Sequence, residues 1–502
     1  MRTPELAAVG IDGSPASLAG RRMGNATGRA FSRRHALGLA GLGAVYLAAG
    51  CTSVRTERGR LRPAAGGQSL REPQVIDSRA GTLEVELVAA AGVELAGLAT
   101  SALGFNGSSP GPTLRVRPGD RLRVRLVNRL DQPTNLHTHG LRVSPAGNAD
   151  NPFVAVEPGQ TFDYLIDIPA DHPAGTFWYH PHHHGTAADQ VFGGLVGALV
   201  VDRGPEMPVE RDLIAVVTDT TLLADGSVAA VGHMDRMAGR HGELVLVNGQ
   251  HRPSIAAAPG MAQRWRIVNA CASRVLSLRL AGHRLTQVAA DGVFLPAPTT
   301  GDRVLLAPGN RADLVIRPEA TGRFELVADP YDAGGMPMGG ASAPVTLATL
   351  AVDGPAGRSA ALPTELPAEP MAEGPVAARR RLTLATGMGM GMGGMSFTID
   401  GRTFDPDRDD QTVRLGTVEE WDIVNSSPMA HPFHLHTWPF TVIADSAGGT
   451  PTGTAQDVVL VPPQSWVRLR IAFTAHPGRS VYHCHVLDHE DAGMMATIAV
   501  HA

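Results

Sequence analysis

The chain has 502 residues, 43 Lys+Arg against 48 Asp+Glu, a formal net charge of −5, 43% hydrophobic residues and only 3 Cys. The charge balance excludes an electrostatic case for nucleic-acid binding. The apolar content excludes a disordered chain, and three Cys exclude a disulfide framework. Length alone suggests about three domains at ~150 residues each. The outlier is histidine: of 20 His, twelve fall in four short clusters.

The first 51 residues read as an export signal. Ser32-Arg33-Arg34-His35-Ala36-Leu37-Gly38-Leu39 has a twin-arginine pattern, and the uncharged stretch 36–50 is too short for a spanning helix of about 20 residues. It ends Leu47-Ala48-Ala49-Gly50-Cys51, which is similar to a lipoprotein cleavage box with Ala48 where Leu is usual. Cys51 is therefore the expected lipid anchor of a cell-surface or periplasmic-side protein; without lipidation the protein would be secreted. Residues 52–71 read as a tether. Beyond the signal, the longest apolar run, 193–201, has the length of a strand.

From about residue 72 the pattern is β. Leu114-Arg-Val-Arg and Arg121-Leu-Arg-Val-Arg-Leu-Val alternate with period two. One unit recurs three times. Asn106-Gly107, Asn248-Gly249 and Asp400-Gly401 mark hairpin turns, and strands ending in Asn128, Asn269 and Asn425 follow after 22, 21 and 25 residues. The expected fold is all-β, three homologous Greek-key sandwich or barrel domains at 72–203, 204–355 and 376–502. A Pro-rich linker, 356–375, precedes the third. Cys271, at the end of a repeat strand, reads as a small core residue.

The histidine clusters are His137-Thr-His139, His180-Pro-His182-His183-His184, His431-Pro-Phe-His434-Leu-His436 and His483-Cys484-His485-Val-Leu-Asp-His489. Each holds a His-x-His pair on an expected strand, where residues i and i+2 share a face. Eight neutral imidazoles exceed the needs of one ion, so two or three metals at the interface of the first and third domains are the simplest use of them. Cys484 lies between two such histidines and faces the other way. With His431, His489 and a weak axial Met494 it describes a blue-copper electron-transfer site. By covalent dimensions an electron entering at the thiolate is roughly 10–13 Å from the cluster. A single zinc or nitrite-reducing copper would leave most of these residues unexplained.

Together these motifs closely resemble the multicopper oxidases, the family of laccases and bacterial copper-tolerance oxidases, from about residue 72 to the end. The resemblance implies three cupredoxin domains and four copper ions. It implies type 1 copper at His431, Cys484 and His489 with Met494 axial, and type 2 copper at His137 and His434. The type 3 pair would be held by His139, His180, His182, His436, His483 and His485. His183 and His184 match no ligand position. The implied reaction couples four one-electron oxidations of a small reductant to reduction of O2 to two waters, by a monomer that engages no nucleic acid. Glu490 stands where relatives have a proton-donating Glu, and Asp150 is the candidate acid beside type 2 copper, two residues further along than in some relatives. Because the family also includes copper-free scaffolds of cell division, a non-enzymatic role is a further alternative.

Two glycine-spaced methionine groups remain: Met336 and Met338, and Met388, Met390, Met392 and Met395. Thioethers are soft and select Cu(I). They point to Cu(I) or another metal ion as the reductant, in copper tolerance; soft filler in a β-structure is the bland reading. The alternative substrates are phenols and aromatic amines, as for laccases.

Overall fold

A computed structural model describes residues 59–502, apart from 62, 64, 65, 203, 205, 336–342, 389–394 and 449–452. The expected signal with Cys51, and Met336, Met338, Met390 and Met392, lie outside the described residues. The described chain is almost entirely β, and its six larger sheets fall into three pairs, beside a two-stranded hairpin at residues 94–99. A five- and a four-stranded sheet form the first pair, and a six- and a five-stranded sheet form each of the other two. Each pair encloses its own apolar core: one around Leu87, Leu126 and Tyr179, one around Trp265, Leu278 and Leu314, and one around Trp421, Leu469 and Tyr482. These are three cupredoxin-like sandwiches in one chain.

The repeat has a physical basis at both of its ends. At each hairpin, Asn106, Asn248 and Asp400 have φ of 54°, 51° and 52°, and the glycines that follow have φ of 76°, 73° and 73°. Two successive left-handed residues are what a tight two-residue hairpin requires, and Asn-Gly or Asp-Gly adopts them at the lowest cost. At the other end, Asn128, Asn269 and Asn425 are buried. Each side-chain amide donates to main-chain carbonyls: Asn128 to Gln132 (2.9 Å) and Val156 (2.8 Å), Asn269 to Arg274 (2.8 Å) and Leu306 (3.0 Å), Asn425 to Met429 (2.6 Å) and Val461 (3.0 Å). Each Oδ1 in turn accepts the N–H two residues on. One buried amide thus closes the loop after each strand, satisfying polar groups that burial would otherwise penalise.

Alternation explains the strands between. In Arg121–Asn128 exposed Arg alternates with buried Leu and Val, and the arginines lie across from Glu84, Glu86, Asp163 and Asp167 on neighbouring strands. Among the described residues helices are short, Ala187–Gly193, His233–Ala238 and Leu487–Asp491, and none is long and apolar enough to cross a membrane.

Three expectations change. The stretch read as a tether is built into the fold from residue 59 onward where it is described: Leu70 joins the middle core, and its N–H and that of Ser254 bond across to Ser254 and Gln68 carbonyls at 2.9 and 2.7 Å. A polar composition hid an edge pairing that needs only backbone. The apolar run 193–201 is split, because Gly193 ends a helix and only Gly197–Val201 is strand. And the His-x-His pairs are not all inside strands. His137–His139 is, but His180 and His483 lie at or next to strand ends, and His182, His436 and His485 lie just beyond them. The expected linker stays extended, yet Leu366 is buried against Phe294 and Met207, and Glu369 is ion-paired with Arg142.

Candidate metal centre

Strands His431–Leu435 and Gly478–Cys484 pair antiparallel, with Phe433 opposite Cys484 and His434 opposite His483. This register puts the two kinds of site on opposite faces. On one face Cys484 Sγ lies 3.3 Å from His431 Nδ1 and 3.8 Å from His489 Nδ1. The far nitrogens are engaged: His431 Nε2 is 2.7 Å from Ser427 Oγ, and His489 Nε2 donates to the Met237 carbonyl at 3.2 Å. Phe397 stacks on the His489 ring, 4.2 Å between centroids. Met494 is buried in the same apolar cluster, and its carbonyl accepts the Cys484 N–H at 3.0 Å. All three donor side chains are buried. Burial pushes the Cys484 thiol up, pushes His431 down, and holds His489 down to about 3. A buried thiol beside two neutral imidazoles is a donor set that a soft cation completes, since the metal displaces the thiol proton.

On the other face eight imidazoles meet. The strand His137–His139 pairs with Gly175–His180, and the rings from the first sandwich stack directly on rings from the third: His137 on His436 (3.8 Å, 14°) and His139 on His434 (3.9 Å, 8°). The four pairs themselves keep their rings 5.5, 5.9, 4.8 and 5.7 Å apart, so chain termination of the strands did not separate them. Five rings are fixed through one nitrogen. His137 Nδ1 is 3.0 Å from Asp150, His139 Nε2 2.9 Å from Asp457, and His180, His434 and His483 turn Nδ1 to the carbonyls of Pro181, Asp457 and Cys484 at 2.8, 2.8 and 3.0 Å. Carboxylates and carbonyls only accept, so each of these nitrogens carries the proton and the opposite one is a free lone pair. His137 Nε2, His139 Nδ1, His180 Nε2, His434 Nε2 and both nitrogens of His485 are buried without a hydrogen-bond partner. His182 Nε2 and His436 Nε2 sit 3.0 and 3.2 Å from His483 Nε2. Imidazole nitrogens this crowded, with so many ring nitrogens left without partners in a buried site, suit a cation between them. Burial keeps His139, His180, His434, His436 and His485 well below the usual histidine range and His182 at about 3, so the ligand form is neutral as metal binding demands.

Two carboxylates expected from the sequence are here. Asp150 is buried, accepts the Thr138 N–H at 2.9 Å and meets His137. Glu490 is fully buried, 3.0 Å from His483 Nδ1 and 3.5 Å from His182 Nε2. Burial pushes its carboxyl up, but His182 and His483 outweigh that and hold it at about 2. Of the remaining expectations, His183 and His184 are half-buried, with His184 against Phe404. Cys271 is buried, its Sγ 3.7 Å from the Val217 carbonyl. Met388 ends the strand Val376–Met388 and pairs with Met395. Met395 is packed against the third core, so glycine spacing did not preclude a packing role for it.

The sequence reading missed Asp457, Arg311, Ser427 and Met237. They are single residues without a repeat or cluster, and they reach the site only through the tertiary fold.

A thiolate-bearing site one residue away from an eight-imidazole cluster, carried on three cupredoxin-like sandwiches, is the equipment of a copper-dependent oxidase. Comparison with known proteins agrees. Family models described as multicopper oxidase match residues 88–206, 219–354 and 379–502. The multicopper oxidase MmcO of Mycobacterium tuberculosis is 29% identical, over 93% of this chain and 96% of its own length. A multicopper oxidase of Campylobacter jejuni, described as a metallo-oxidase, superposes with a TM-score of 0.80 at 29% identity, over 89% of this chain and 98% of that one. A multicopper oxidase of Pseudomonas thermotolerans shares 30% identity, covering 84% and 99%, with a TM-score of 0.68. The chain belongs to the multicopper oxidase family, and it is an oxidoreductase that uses O2 and a reductant.

Proposed function

We propose that the chain holds four copper ions and oxidises a metal ion, Cu(I) in the first place, in copper tolerance. His431, Cys484 and His489, with Met494, would hold type 1 copper. His137 and His434 would hold type 2, and His139, His180, His182, His436, His483 and His485 the type 3 pair. The observation that carries the reading is the convergence of eight buried imidazoles, seven of them with at least one unpartnered ring nitrogen, besides the His182, His436 and His483 nitrogens that meet at 3.0 and 3.2 Å. Bound copper supplies one-electron oxidation of the reductant and the four-electron reduction of O2 to two waters. The chain's own part is to orient the rings, exclude water and deliver protons. Asp150 and the Asp457 carbonyl fix His137 and His434. Glu490, buried with its carboxylate 3.0 Å from His483 Nδ1 and 3.5 Å from His182 Nε2, is the group placed to relay protons to the cluster. Cys484 joins the two sites through its own backbone to His483 and His485.

What supports a metal-ion reductant is the surround of His489. The helix His233–Ala238 caps its outer nitrogen through Met237 and exposes Met234. The strand led in by Met395 stacks Phe397 on its ring. Ala333 and Gly335, just before Met336, are hydrogen-bonded to Ala430 and Pro428, next to His431, with Gly334 opposite Met429. Described residues flanking both glycine-spaced methionine groups are thus tied to the rim of the Cys484 site, where thioethers would favour a soft cation. The Campylobacter jejuni relative is described as a metallo-oxidase. Export by a twin-arginine route, with Cys51 as lipid anchor, fits the same role at the cell surface, and the chain is proposed to act as a monomer. The test is O2 uptake by copper-loaded protein with Cu(I) and with a phenol. Replacing Met388, Met390, Met392 and Met395 by Ser is expected to lower the Cu(I) rate about tenfold, 1.4 kcal/mol, and leave the phenol rate unchanged. Equal Cu(I) rates would favour the laccase-like reading, and no uptake with either reductant would favour a non-enzymatic one.

A further inference from the structure

The middle sandwich supplies none of the imidazoles, yet one of its arginines reaches the cluster. Arg311 begins the strand Arg311–Ile316 and is fully buried. Its Nη1 and Nη2 each donate to one oxygen of Asp457, both at 2.7 Å. The same guanidinium donates to the carbonyls of Thr176 and Gly309, both at 3.2 Å, and lies over the Phe177 ring. Asp291 accepts the Arg311 backbone N–H at 2.9 Å and lies 3.5 Å from Nη1. Residues from all three sandwiches therefore meet on one buried cation.

Asp457 touches the cluster twice. Its Oδ1 lies 2.9 Å from His139 Nε2, and its main-chain carbonyl accepts from His434 Nδ1 at 2.8 Å. The guanidinium fork holds both oxygens and so fixes the carboxylate's orientation against the His139 ring. Its effect on His139 is specific. His137, His180 and His434 turn Nδ1 outward and keep Nε2 for the cluster, whereas His139 turns Nε2 outward and offers Nδ1. Two glycines make room for this arrangement. A Cβ on Gly140, which has φ of 86°, would run into the Arg311 guanidinium and Asp457 Oδ2, and a Cβ on Gly309 would press on the rings of His485 and His139.

We infer that Asp457, clasped by Arg311 of the middle sandwich, is the positioning residue that selects the ring nitrogen His139 presents to the metals and ties His139 to His434. The inference rests on the reading of the eight imidazoles as copper ligands. It gives the middle sandwich a part in the cluster without giving it a ligand. A carboxylate behind a metal-binding imidazole is worth about 10- to 100-fold in affinity or activity.

The experiment compares Asp457→Asn and Arg311→Lys with the unaltered chain after copper loading, by copper analysis, near-ultraviolet absorption and electron paramagnetic resonance. Asn cannot complete the charged fork, and Lys offers a point charge in place of two parallel donors. Asp457→Asn is expected to weaken copper retention in the cluster about 10- to 100-fold, to bleach the near-ultraviolet shoulder and to unmask paramagnetic copper, with the blue band intact. Arg311→Lys should give a smaller change of the same kind. The intact blue band reports a folded chain; should Asp457→Asn lose it, Arg311→Lys and Arg311→Gln carry the test with the same readouts. Full copper content, an unchanged shoulder and an unchanged spin count in a variant that is only less heat-stable would make the clasp merely structural and overturn the inference. If the unaltered chain itself lacks the shoulder and binds one copper, it is the ligand reading that fails.

Discussion

The middle and third sandwiches share a scaffold and differ in what it carries. In the five-stranded sheets Leu276–Leu280 of the middle sandwich occupies the place that His431–Leu435 occupies in the third, next to a strand pairing antiparallel with it. Leu276, Leu278 and Leu280 are buried in the middle core. At the corresponding place in the third sandwich, His431 and His434 are buried as well, with only Phe433 and Leu435 in the core. The fold therefore does not need the histidines. It offers a buried strand, and one copy fills it with packing while the other spends it on ligands that are individually costly to bury. The middle copy turns its contribution elsewhere, to Arg311 behind the cluster and to Met237 over His489.

Four tests bear on this contrast. The largest effect is expected from Cys484→Ser, which should erase the blue band and lower turnover more than about 100-fold, with the eight-imidazole cluster still loaded; visible absorption and O2 uptake read it. Next, Leu278→Ala should cost about 2–5 kcal/mol in denaturant unfolding and leave copper content unchanged. His434→Ala, at the matching strand, should do the reverse: lower copper content, with a smaller loss of stability in the copper-free protein. If both variants lost only stability, the contrast between packing strand and ligand strand would collapse.

A third prediction concerns the shared anchor. Asn269→Ala leaves the Arg274 and Leu306 carbonyls without their donor and should cost about 1–3 kcal/mol, read as a fall in thermal midpoint at full copper content. Asn425→Ala should cost a similar amount and also shift the blue band, because its partner Met429 leads straight to His431.

Smallest at neutral pH, and growing as acid is added, is a pH dependence of the copper-free protein. His182 and His489 are held at about 3 and His172 at about 4, against about 6.5 in an unfolded chain, in each case chiefly by burial. Between those values the unfolded state binds protons that the folded state refuses, so stability rises with pH there. Stability should be unaffected by these groups above pH 6.5 and should decline steadily as pH falls from 6.5 toward 3. A thermal midpoint that is flat across that range would show that these rings are not buried as neutral imidazoles.

Much of this was legible in the chain itself. Asn-Gly and Asp-Gly turns have a local backbone cause, so the threefold repeat could be counted from sequence. The His-x-His spacing announces paired rings because two residues apart is a geometric statement about one strand. The pairs survived even where the strand ended, with their rings still 4.8–5.9 Å apart. Asp457 and Arg311 were invisible for the opposite reason. They are 146 residues apart, each is an ordinary charged residue in its own neighbourhood, and only the docking of three sandwiches brings them together. The backbone pairing of Gln68 and Leu70 with Ser254 was hidden likewise, because edge pairing uses main-chain groups that every residue owns.

The proposed function requires one chain to build two distinct copper sites on the two faces of the strand ending in Cys484. The most direct measurement is metal analysis of the loaded protein together with its absorption spectrum. The account predicts four copper ions per chain, an intense blue band and a near-ultraviolet shoulder, with the blue band alone lost in Cys484→Ser. One copper per chain, or zinc in its place with no visible band, would contradict it.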